Sequence, residues 1–299
     1  MACTKIKWTK VRKGWFMIRS LPNSTIYKIT FRIYISLFYI FLIMPLLTVA
    51  ILAFNDSNFI SLPWNGFTLD WFYINTDERV GLLADENLIL SIWTSLQTGF
   101  LVAILSTIVG TIAALLFEQE NFRFKGLLYF LALSPLVIPG VILGISILIS
   151  STIAGNYIET NFGVDIEWLR PSFWLVVIGQ FSFGATYVML LVSARLKKFD
   201  RALEEAALSL RASRLQAIWY VTIPYLKPAI IGAFVVAFLI SFSNFNTTIF
   251  LAGSDPTLPI DLYSRIKFSS TPVLNAVSFL IVTVITLFAV FSLVINRKK

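Results

Sequence analysis

The 299-residue chain is 57% hydrophobic and 13% charged, whereas about 25% of residues are charged in an average soluble protein. This composition excludes a water-soluble monomer and makes membrane lipid the expected solvent for much of the chain. With no histidine and one cysteine, Cys3, the chain lacks the residues of Ser-His-Asp triads, of His-bearing zinc sites and of an intrachain disulfide.

Six apolar stretches are long enough to cross the hydrocarbon core of a bilayer, roughly 30 Å thick, as helices. None of them contains Asp, Glu, Lys or Arg. We therefore predict an all-α membrane protein with one transmembrane domain over 33–295. The predicted spans are 33–54, 88–117, 127–149, 172–194, 228–251 and 273–295.

The net charge of +8 reflects membrane orientation, and no nucleic-acid partner is expected. Of the 24 basic residues, 20 lie in segments predicted on one side of the membrane, which include the tails 1–32 and 296–299. Because Lys and Arg accumulate on the cytoplasmic side, both termini are predicted to be cytoplasmic. The basic lead before the first span is too long for a signal peptide, so this span is expected to stay as an anchor.

Two prolines and two glycines, each pair four residues apart, interrupt the predicted third span: Pro135, Pro139, Gly140 and Gly144. Proline removes a helical N–H donor, so this helix must bend, and Ser134 and Ser146 are available to satisfy the freed carbonyls. The small residues favour a kink packed closely against a neighbouring helix.

The segment 195–227 is the longest predicted cytoplasmic connection, and its pattern is helical. Asp200 can cap a first helix, and Ser213 with Gln216 forms a capping box for a second. Pro224 should end or kink that second helix. The apolar face of the first helix consists of Leu203, Ala206, Ala207 and Leu210. The pattern alone indicates a helical hairpin at the membrane surface.

Polar side chains gather in the predicted fifth span. Ser241, Asn244 and Thr248 share a face, and Ser243, Asn246 and Thr247 lie beside it. Gln180 in the fourth span is a weaker candidate of the same kind. Six polar residues in eight positions cannot all face lipid cheaply, so they either form interhelical hydrogen bonds or line a solute pathway.

No ionisable side chain lies within a predicted span, and the chain contains no G-x-x-x-x-G-K-[ST] motif. Ion-coupled transporters usually need intramembrane carboxylates or histidines, and many ATPases need that phosphate-binding loop. If the chain is a transporter, its energy is therefore expected to come from another protein. The alternative to a transporter subunit driven by another protein is an ion-coupled carrier or a channel subunit with six spans. A membrane enzyme ranks third, because the chain offers no nucleophile–base pair.

Glu205-Ala206-Ala207, thirteen further residues and Val221-Thr222-Ile223-Pro224 resemble the EAA loop of bacterial ABC importer permeases. The spacing from the glutamate to the proline fits the family pattern without a gap. The resemblance implies a type I importer permease (MetI-like) fold, in which a first helix wraps a core of five. It also implies that Glu205, Ala206, Ala207 and Pro224 belong to coupling helices that sit in a cleft of a cytoplasmic ATPase.

Further segments look like the spermidine/putrescine permease subgroup: Phe54-Asn55-Asp56-Ser57, Trp64-Asn65-Gly66-Phe67-Thr68, Ser134-Pro135-Leu136-Val137-Ile138-Pro139, Arg195-Leu196-Lys197-Lys198-Phe199-Asp200 and Pro272-Val273-Leu274-Asn275-Ala276. The resemblance implies a bacterial inner-membrane subunit that works with a second permease chain, two ATPase subunits and a periplasmic substrate-binding protein. ATP and Mg would bind to the ATPase, and this chain itself would hold no cofactor and perform no catalysis.

One position departs from the family pattern, because the family glycine falls on Arg211, at the bend between the two loop helices. Glycine adopts a positive φ freely, while a residue with a side chain loses roughly 1 kcal/mol or more there. We expect the bend to take a conformation that is not left-handed, since Ala212 and Ser213 leave room for it, and to shift the second helix. Arg211 is also a candidate for a salt bridge to an acidic ATPase surface.

The solute implied by the resemblance is a small polyamine-like or related organic molecule. Polyamine permeases of the subgroup commonly carry acidic residues in the fifth span, whereas residues 241–246 of this chain are neutral. This neutrality implies a solute that is neutral, zwitterionic or singly charged, or one whose charge is balanced by dipoles.

Overall fold

The computed structural model describes residues 25–60, 63–76, 79–268 and 271–296, so most of the basic tail 1–32 lies outside the described residues. Helices are the regular elements throughout these residues, which hold two isolated β-bridges and no strand. The α-helices are α1 (Thr25–Leu52), α2 (Asp70–Tyr73), α3 (Glu86–Gln119), α4 (Lys125–Val137), α5 (Gly140–Phe162), α6 (Phe173–Leu196), α7 (Ala202–Ser209), α8 (Arg214–Ala217), α9 (Ile223–Phe242), α10 (Thr248–Leu251), α11 (Leu258–Phe268) and α12 (Val273–Asn296).

Among the residues that the structure describes, five helical stretches are long and apolar enough to cross a membrane: α1, α3, α5, α6 and the continuous run Arg214–Phe242. Two shorter apolar stretches accompany them, α4 and the part Val273–Leu287 of α12. The predicted all-α class with multiple spans is confirmed. The helix bounds differ from the prediction in the third and fifth spans, and α1 begins eight residues before the predicted first span.

The predicted third span is two helices rather than one bent helix. α4 ends at Val137, the two following residues are extended, and α5 begins at Gly140. Pro139 has no N–H to donate to the carbonyl of Pro135, and the residue before a proline is disfavoured in the helical conformation. Together these effects break the helix where the sequence predicted a bend.

Ser134 satisfies a freed carbonyl as predicted, because its hydroxyl donates to the Leu131 carbonyl at 2.7 Å. Ser146, the other candidate, makes no side-chain hydrogen bond within the described residues. α5 continues to Phe162, well past the predicted end at residue 149. Much of the predicted outer loop 150–171 is therefore helix.

The helix of the predicted fifth span starts and ends earlier than expected. It runs over Arg214–Phe242 and includes a π-helical turn at Ile218–Thr222. It continues through Pro224, so of the two effects expected of this proline, an end or a kink, the end does not occur. Pro224 cannot donate to the carbonyl of Tyr220, and the wider π turn that contains this carbonyl accommodates the loss. Residues 243–247 are not helical and separate α9 from α10.

The helices α3, α6 and α9 pack together as the buried centre of the molecule. Two glycines allow the close approach of α3 and α6. A Cβ added at Gly110 would lie 2.7 Å from the Cβ of Val188, and one at Gly184 would lie 2.4 Å from the Oγ of Ser106. Small residues at such contacts suit helices whose alternative neighbour is lipid. Core members include Ala103, Ala114, Val188, Val192, Leu226 and Ala237.

α1 lies at the edge of this centre. None of its residues is buried, and it packs against α12. From Ile33 onward its exposed side chains are aliphatic or aromatic except those of Ser36 and Thr48, as expected for a helix that faces lipid or another membrane protein. This placement agrees with a first helix outside a core of further helices.

The segments that connect the long helices contact one another at two opposite ends of the molecule. Arg265 of α11 bonds Asp85 before α3, and the N–H of Ser172 before α6 donates to the carbonyl of Leu251 at 3.0 Å. At the other end, the carboxyl terminus of α3 contacts the loop 195–227. The connecting segments therefore alternate between two ends, as a chain that crosses a membrane repeatedly requires.

Candidate coupling loop and solute pathway

Local capping fixes the two short helices of the loop 195–227. The Asp200 carboxylate accepts a hydrogen bond from the N–H of Ala202 at 3.0 Å, at the start of α7. Ser213 and Gln216 form the predicted capping box before α8, with each side chain bonded to the other residue's backbone N–H. Both predicted start signals are confirmed, because they depend only on residues a few positions apart.

The bend between α7 and α8 is left-handed at Arg211, with φ of +66°. The N–H of Ala212 donates to the Ala207 carbonyl at 3.1 Å, and that of Arg211 to the Leu208 carbonyl at 2.9 Å. These two bonds form a Schellman motif, which satisfies carbonyls at the end of α7. The expectation that Arg211 avoids the left-handed conformation is therefore wrong. The bend keeps the shape that a glycine would adopt, and the hydrogen bonds offset the strain.

Glu204 connects α7 to two spans, a role that the sequence analysis missed. Its Oε1 accepts a hydrogen bond from Nε2 of Gln119, the last residue of α3, at 2.8 Å. The same oxygen accepts from the hydroxyl of Thr222, at the end of the π turn. Thr222 is fully buried. One carboxylate oxygen thus holds the loop helix against the second and fifth spans.

Basic side chains from the loop also contact the carboxyl-terminal end of α3. Arg201 donates through Nη2 to the carbonyl of Glu118 at 2.7 Å, and Lys197 lies 3.6 Å from the Glu118 carboxylate. Arg214 of α8 pairs with the carboxylate of Glu120. Cations near a helix carboxyl terminus interact favourably with its dipole. The loop is therefore fixed to α3 on both sides of α7.

α7 itself is covered by little of the chain. It has no buried residue, and Leu203 and Leu210 are 51% and 84% exposed. Ala206, Ala207 and Pro224 lie near the surface, exposed or partly buried. The apolar face predicted for this helix therefore exists without a partner in the described part of the chain.

An open groove of about 350 Å³ lies between α7, α8 and the end of α3. Glu204 and Glu205 line it together with Arg201 and Arg214. Arg201, Arg214 and Glu204 are engaged in the contacts above. The Glu205 carboxylate makes no hydrogen bond or ion pair within the described residues, so its charge is available to a partner.

Three polar residues of the predicted pathway form one buried cluster. Gln180 of α6 donates through Nε2 to the hydroxyl of Thr248 at 2.6 Å, and its Oε1 accepts from the hydroxyl of Ser241. Gln180 is 2% exposed and Thr248 is fully buried. The cluster satisfies itself, as buried polar groups in lipid must, and it ties α6 to both sides of the break between α9 and α10.

Asn244 and Asn246 lie within that break. Asn244 is partly buried, and its Oδ1 accepts hydrogen bonds from the N–H of Thr247 at 3.1 Å and from the Thr248 hydroxyl at 3.4 Å. Asn246 is exposed, and so is Ser243. The break therefore presents neutral polar groups at the surface of the chain, next to the buried cluster.

The glycines of the third span pack against the same break. A Cβ added at Gly144 would lie 2.6 Å from the carbonyl oxygen of Thr247, and one at Gly140 would lie 3.1 Å from the Cβ of Asn246. The interruption between α4 and α5 thus meets the interruption between α9 and α10. The small face of this span packs closely against a neighbouring segment, as the spacing of the glycines predicted.

Residues 106–299 match the family described as the binding-protein-dependent transport system inner membrane component. The putrescine transport system permease protein PotI of Escherichia coli strain K12 is 31% identical over 244 residues, which are 81% of each protein. The spermidine/putrescine transport system permease protein PotC of the same strain is 26% identical over 266 residues, 87% of this chain and 91% of PotC.

The fold is similar to a chain in the crystal structure of a bacterial ABC transporter involved in the import of the acidic polysaccharide alginate. The TM-score is 0.66 at 16% sequence identity, over 91% of this chain and 96% of that chain. Fold and sequence thus define the class as a multi-span subunit of a transport system. The chain belongs to the family of binding-protein-dependent inner-membrane components, and it is a permease subunit of an ABC importer in the inner membrane. Its relatives are permease subunits rather than enzymes.

Proposed function

We propose that α7 and α8 dock onto a cytoplasmic ATPase and that ATP-driven movement of this ATPase opens and closes the solute pathway. The unpartnered apolar face of α7 and the free carboxylate of Glu205 support this proposal. Exposed apolar surface with a polar rim is typical of a protein interaction site. Glu205 would meet a basic side chain of the ATPase, and Arg211 would meet an acidic one.

Two ATPase subunits, which bind ATP and Mg, would supply the energy, and a second permease chain would complete the pathway. A periplasmic binding protein would deliver the solute, as the family description implies. The absence of ionisable residues from the predicted spans supports an external energy source rather than an ion-coupled carrier.

The docking proposal is tested by purifying the tagged chain from its native membranes and measuring how much ATPase accompanies it. Glu205→Arg places a cation where an anion is proposed to pair, so recovery should fall at least about tenfold, as loss of one charged pair in an interface typically costs. Glu167→Arg makes the same change on an exposed residue at the other end of the molecule and is the control. Parental ATPase recovery and parental transport in Glu205→Arg contradict the docking proposal.

We further propose that the solute is a small polyamine-like organic molecule and that it passes the break at 243–247. The similarity to a putrescine permease and to a spermidine/putrescine permease supports the solute class. A cationic solute does not require carboxylates in the spans, because interrupted helices leave carbonyl groups that can replace part of its hydration. Pro139 deprives the Pro135 carbonyl of its helical donor in this region.

Uptake by vesicles that contain the whole transporter tests the solute class. The parent should accumulate putrescine or spermidine in competition with unlabelled polyamine. Asn244→Asp should tighten half-saturation for a polyamine about fivefold, since a carboxylate near a cation gains on the order of 1 kcal/mol even in a wet site. Asn161→Asp, at the exposed end of α5, is the matched control. No polyamine uptake by the parent contradicts the solute proposal, and unchanged uptake in Asn244→Asp removes this residue from the pathway.

A further inference from the structure

A single carboxylate oxygen joins three helical elements at the cytoplasmic end of the molecule. Oε1 of Glu204 accepts hydrogen bonds from Gln119 of α3 and from Thr222 of the π turn. Both donors are neutral, and Glu204 itself is partly buried. The neighbouring arginines do not compete for this oxygen, because Arg201 donates to the Glu118 carbonyl and Arg214 pairs with Glu120.

The two hydrogen-bond donors, Gln119 and Thr222, lie at the ends of long helices. Gln119 is the last residue of α3, an uninterrupted helix of 34 residues whose other end is capped by Asp85. Thr222 immediately precedes α9, whose far end carries Ser241 of the buried polar cluster. A displacement of α7 would therefore reach both helices through one side chain.

The adjacent residues Glu204 and Glu205 differ in what their carboxylates contact. The Glu205 carboxylate makes no hydrogen bond or ion pair within the described residues, whereas the Glu204 carboxylate is bonded to the two spans. We infer that Glu204 is a positioning residue that converts a movement of α7 into a joint movement of α3 and α9. This inference rests on the proposed docking of α7 onto an ATPase, in which Glu205 makes the outward contact and Glu204 makes the inward one.

The proposed role of Glu204 requires one hydrogen-bond acceptor and one donor between positions 204 and 119. In Glu204→Ala both hydrogen bonds are lost. In Gln119→Glu two carboxylates face each other, and the bond between α3 and α7 becomes a repulsion. The double variant Glu204→Gln with Gln119→Glu reverses the polarity: the new glutamine amide donates to the new carboxylate, and its carbonyl still accepts from Thr222. The double variant should therefore recover what Gln119→Glu loses.

The experiment uses the complete transporter in vesicles and measures solute uptake and ATP hydrolysis in the same sample. Solute transported per ATP hydrolysed should fall about tenfold in Glu204→Ala and in Gln119→Glu. ATPase recovery should stay at the parental level in both. The double variant should return the ratio to within about threefold of the parent. Glu167→Ala, which removes an exposed carboxylate at the other end, is the control.

Each outcome has one meaning. A parental ratio in Glu204→Ala, or a double variant no better than Gln119→Glu, overturns the inference. Rescue by the double variant supports it even if Glu204→Ala fails to accumulate in the membrane. Failure of the ATPase to copurify with the parental chain overturns the docking proposal itself, and that result differs from a normal complex whose ratio is insensitive to Glu204.

Discussion

Arg265 donates to both carboxylate oxygens of Asp85, which lies 180 positions earlier in the chain, at 2.5 and 3.1 Å. The two side chains are only 19% and 14% exposed. Asp85 also accepts from the N–H of Leu88 at 3.0 Å and so caps α3, while Arg265 holds Asp261 on its own helix at 2.8 Å. The amino-terminal end of α3 is thereby fixed to α11, as its carboxyl-terminal end is fixed to α7.

The pKa values of Asp85 and Arg265 are both shifted toward the charged form. Burial raises the pKa of Asp85, but the hydrogen bonds from Arg265 and from the Leu88 N–H outweigh it and leave this pKa below its usual value. The hydrogen bond to Asp85 raises the pKa of Arg265, so the arginine stays charged. A carboxyl with a lowered pKa stabilises the folded state above its unfolded pKa, about 3.9, and that stability is lost as pH falls through the folded value.

We predict that acid lowers the melting temperature of the detergent-solubilised chain more in the parent than in Asp85→Asn. The variant should melt lower at pH 7, because it loses a charged hydrogen bond worth about 2 kcal/mol. It should also lose part of the decline between about pH 5 and pH 3, since the asparagine does not titrate. Parallel melting curves against pH for the two proteins would show that Asp85 carries none of this dependence.

Gly144→Ala tests the contact between the two helix interruptions. The added Cβ would lie 2.6 Å from the backbone carbonyl oxygen of Thr247, which cannot swing aside as a side chain can. Overpacking of this kind costs about 1–3 kcal/mol, so the melting temperature should fall by about 5 °C and transport should decline. Melting is followed by fluorescence in detergent.

Gly232→Ala is the matched control for that substitution. Gly232 lies within α9, is exposed, and an added Cβ meets no atom within 4 Å. Alanine in a helix interior is favoured over glycine by about 0.5–1 kcal/mol, so this variant should be as stable as the parent or more so. If the two variants melt at the same temperature, the close contact between Gly144 of α5 and Thr247 does not contribute to stability.

Arg211→Gly should stabilise the end of α7 locally. The residue has φ of +66°, a conformation that costs a side-chain residue roughly 1 kcal/mol, and glycine keeps the Schellman bonds without that cost. Amide exchange of residues 209–212, measured by mass spectrometry, should slow about fivefold. Arg211→Val should accelerate it, because a β-branched residue tolerates positive φ least. Faster exchange in Arg211→Gly would mean that the arginine side chain itself holds the bend.

The sequence predicted the parts of this molecule that depend on near neighbours. Asp200 and the Ser213–Gln216 pair cap helices a few residues away, so their chemistry is readable from spacing. The conformation of Arg211 was predicted wrongly because intrinsic preference was weighed without the two backbone bonds that close the motif. A strong local preference yields where several hydrogen bonds depend on it.

Contacts between distant segments were beyond prediction. Glu204 and Gln119 are 85 residues apart. Nothing in the sequence around Glu204, which lies beside the family motif, indicates that its carboxylate bonds to α3. Gln180 was recognised as polar in an apolar span, which requires a partner, but its partners Ser241 and Thr248 lie more than 60 residues away. The polar composition of a span thus predicts that a cluster exists, while only packing decides its members.

The final prediction concerns orientation, which follows from the distribution of basic residues. With Cys3 replaced by serine, single cysteines are introduced at Thr160, near the end of α5, and at Lys198, after α6; both positions are exposed. In intact cells whose outer membrane is permeable, an impermeant maleimide should label Thr160→Cys and not Lys198→Cys, because the excess of Lys and Arg marks the side of residue 198 as cytoplasmic. After lysis both should react, which shows that each thiol is accessible. Labelling of Lys198→Cys alone in intact cells would reverse the orientation and place α7 and α8 on the side of the membrane that has no ATP.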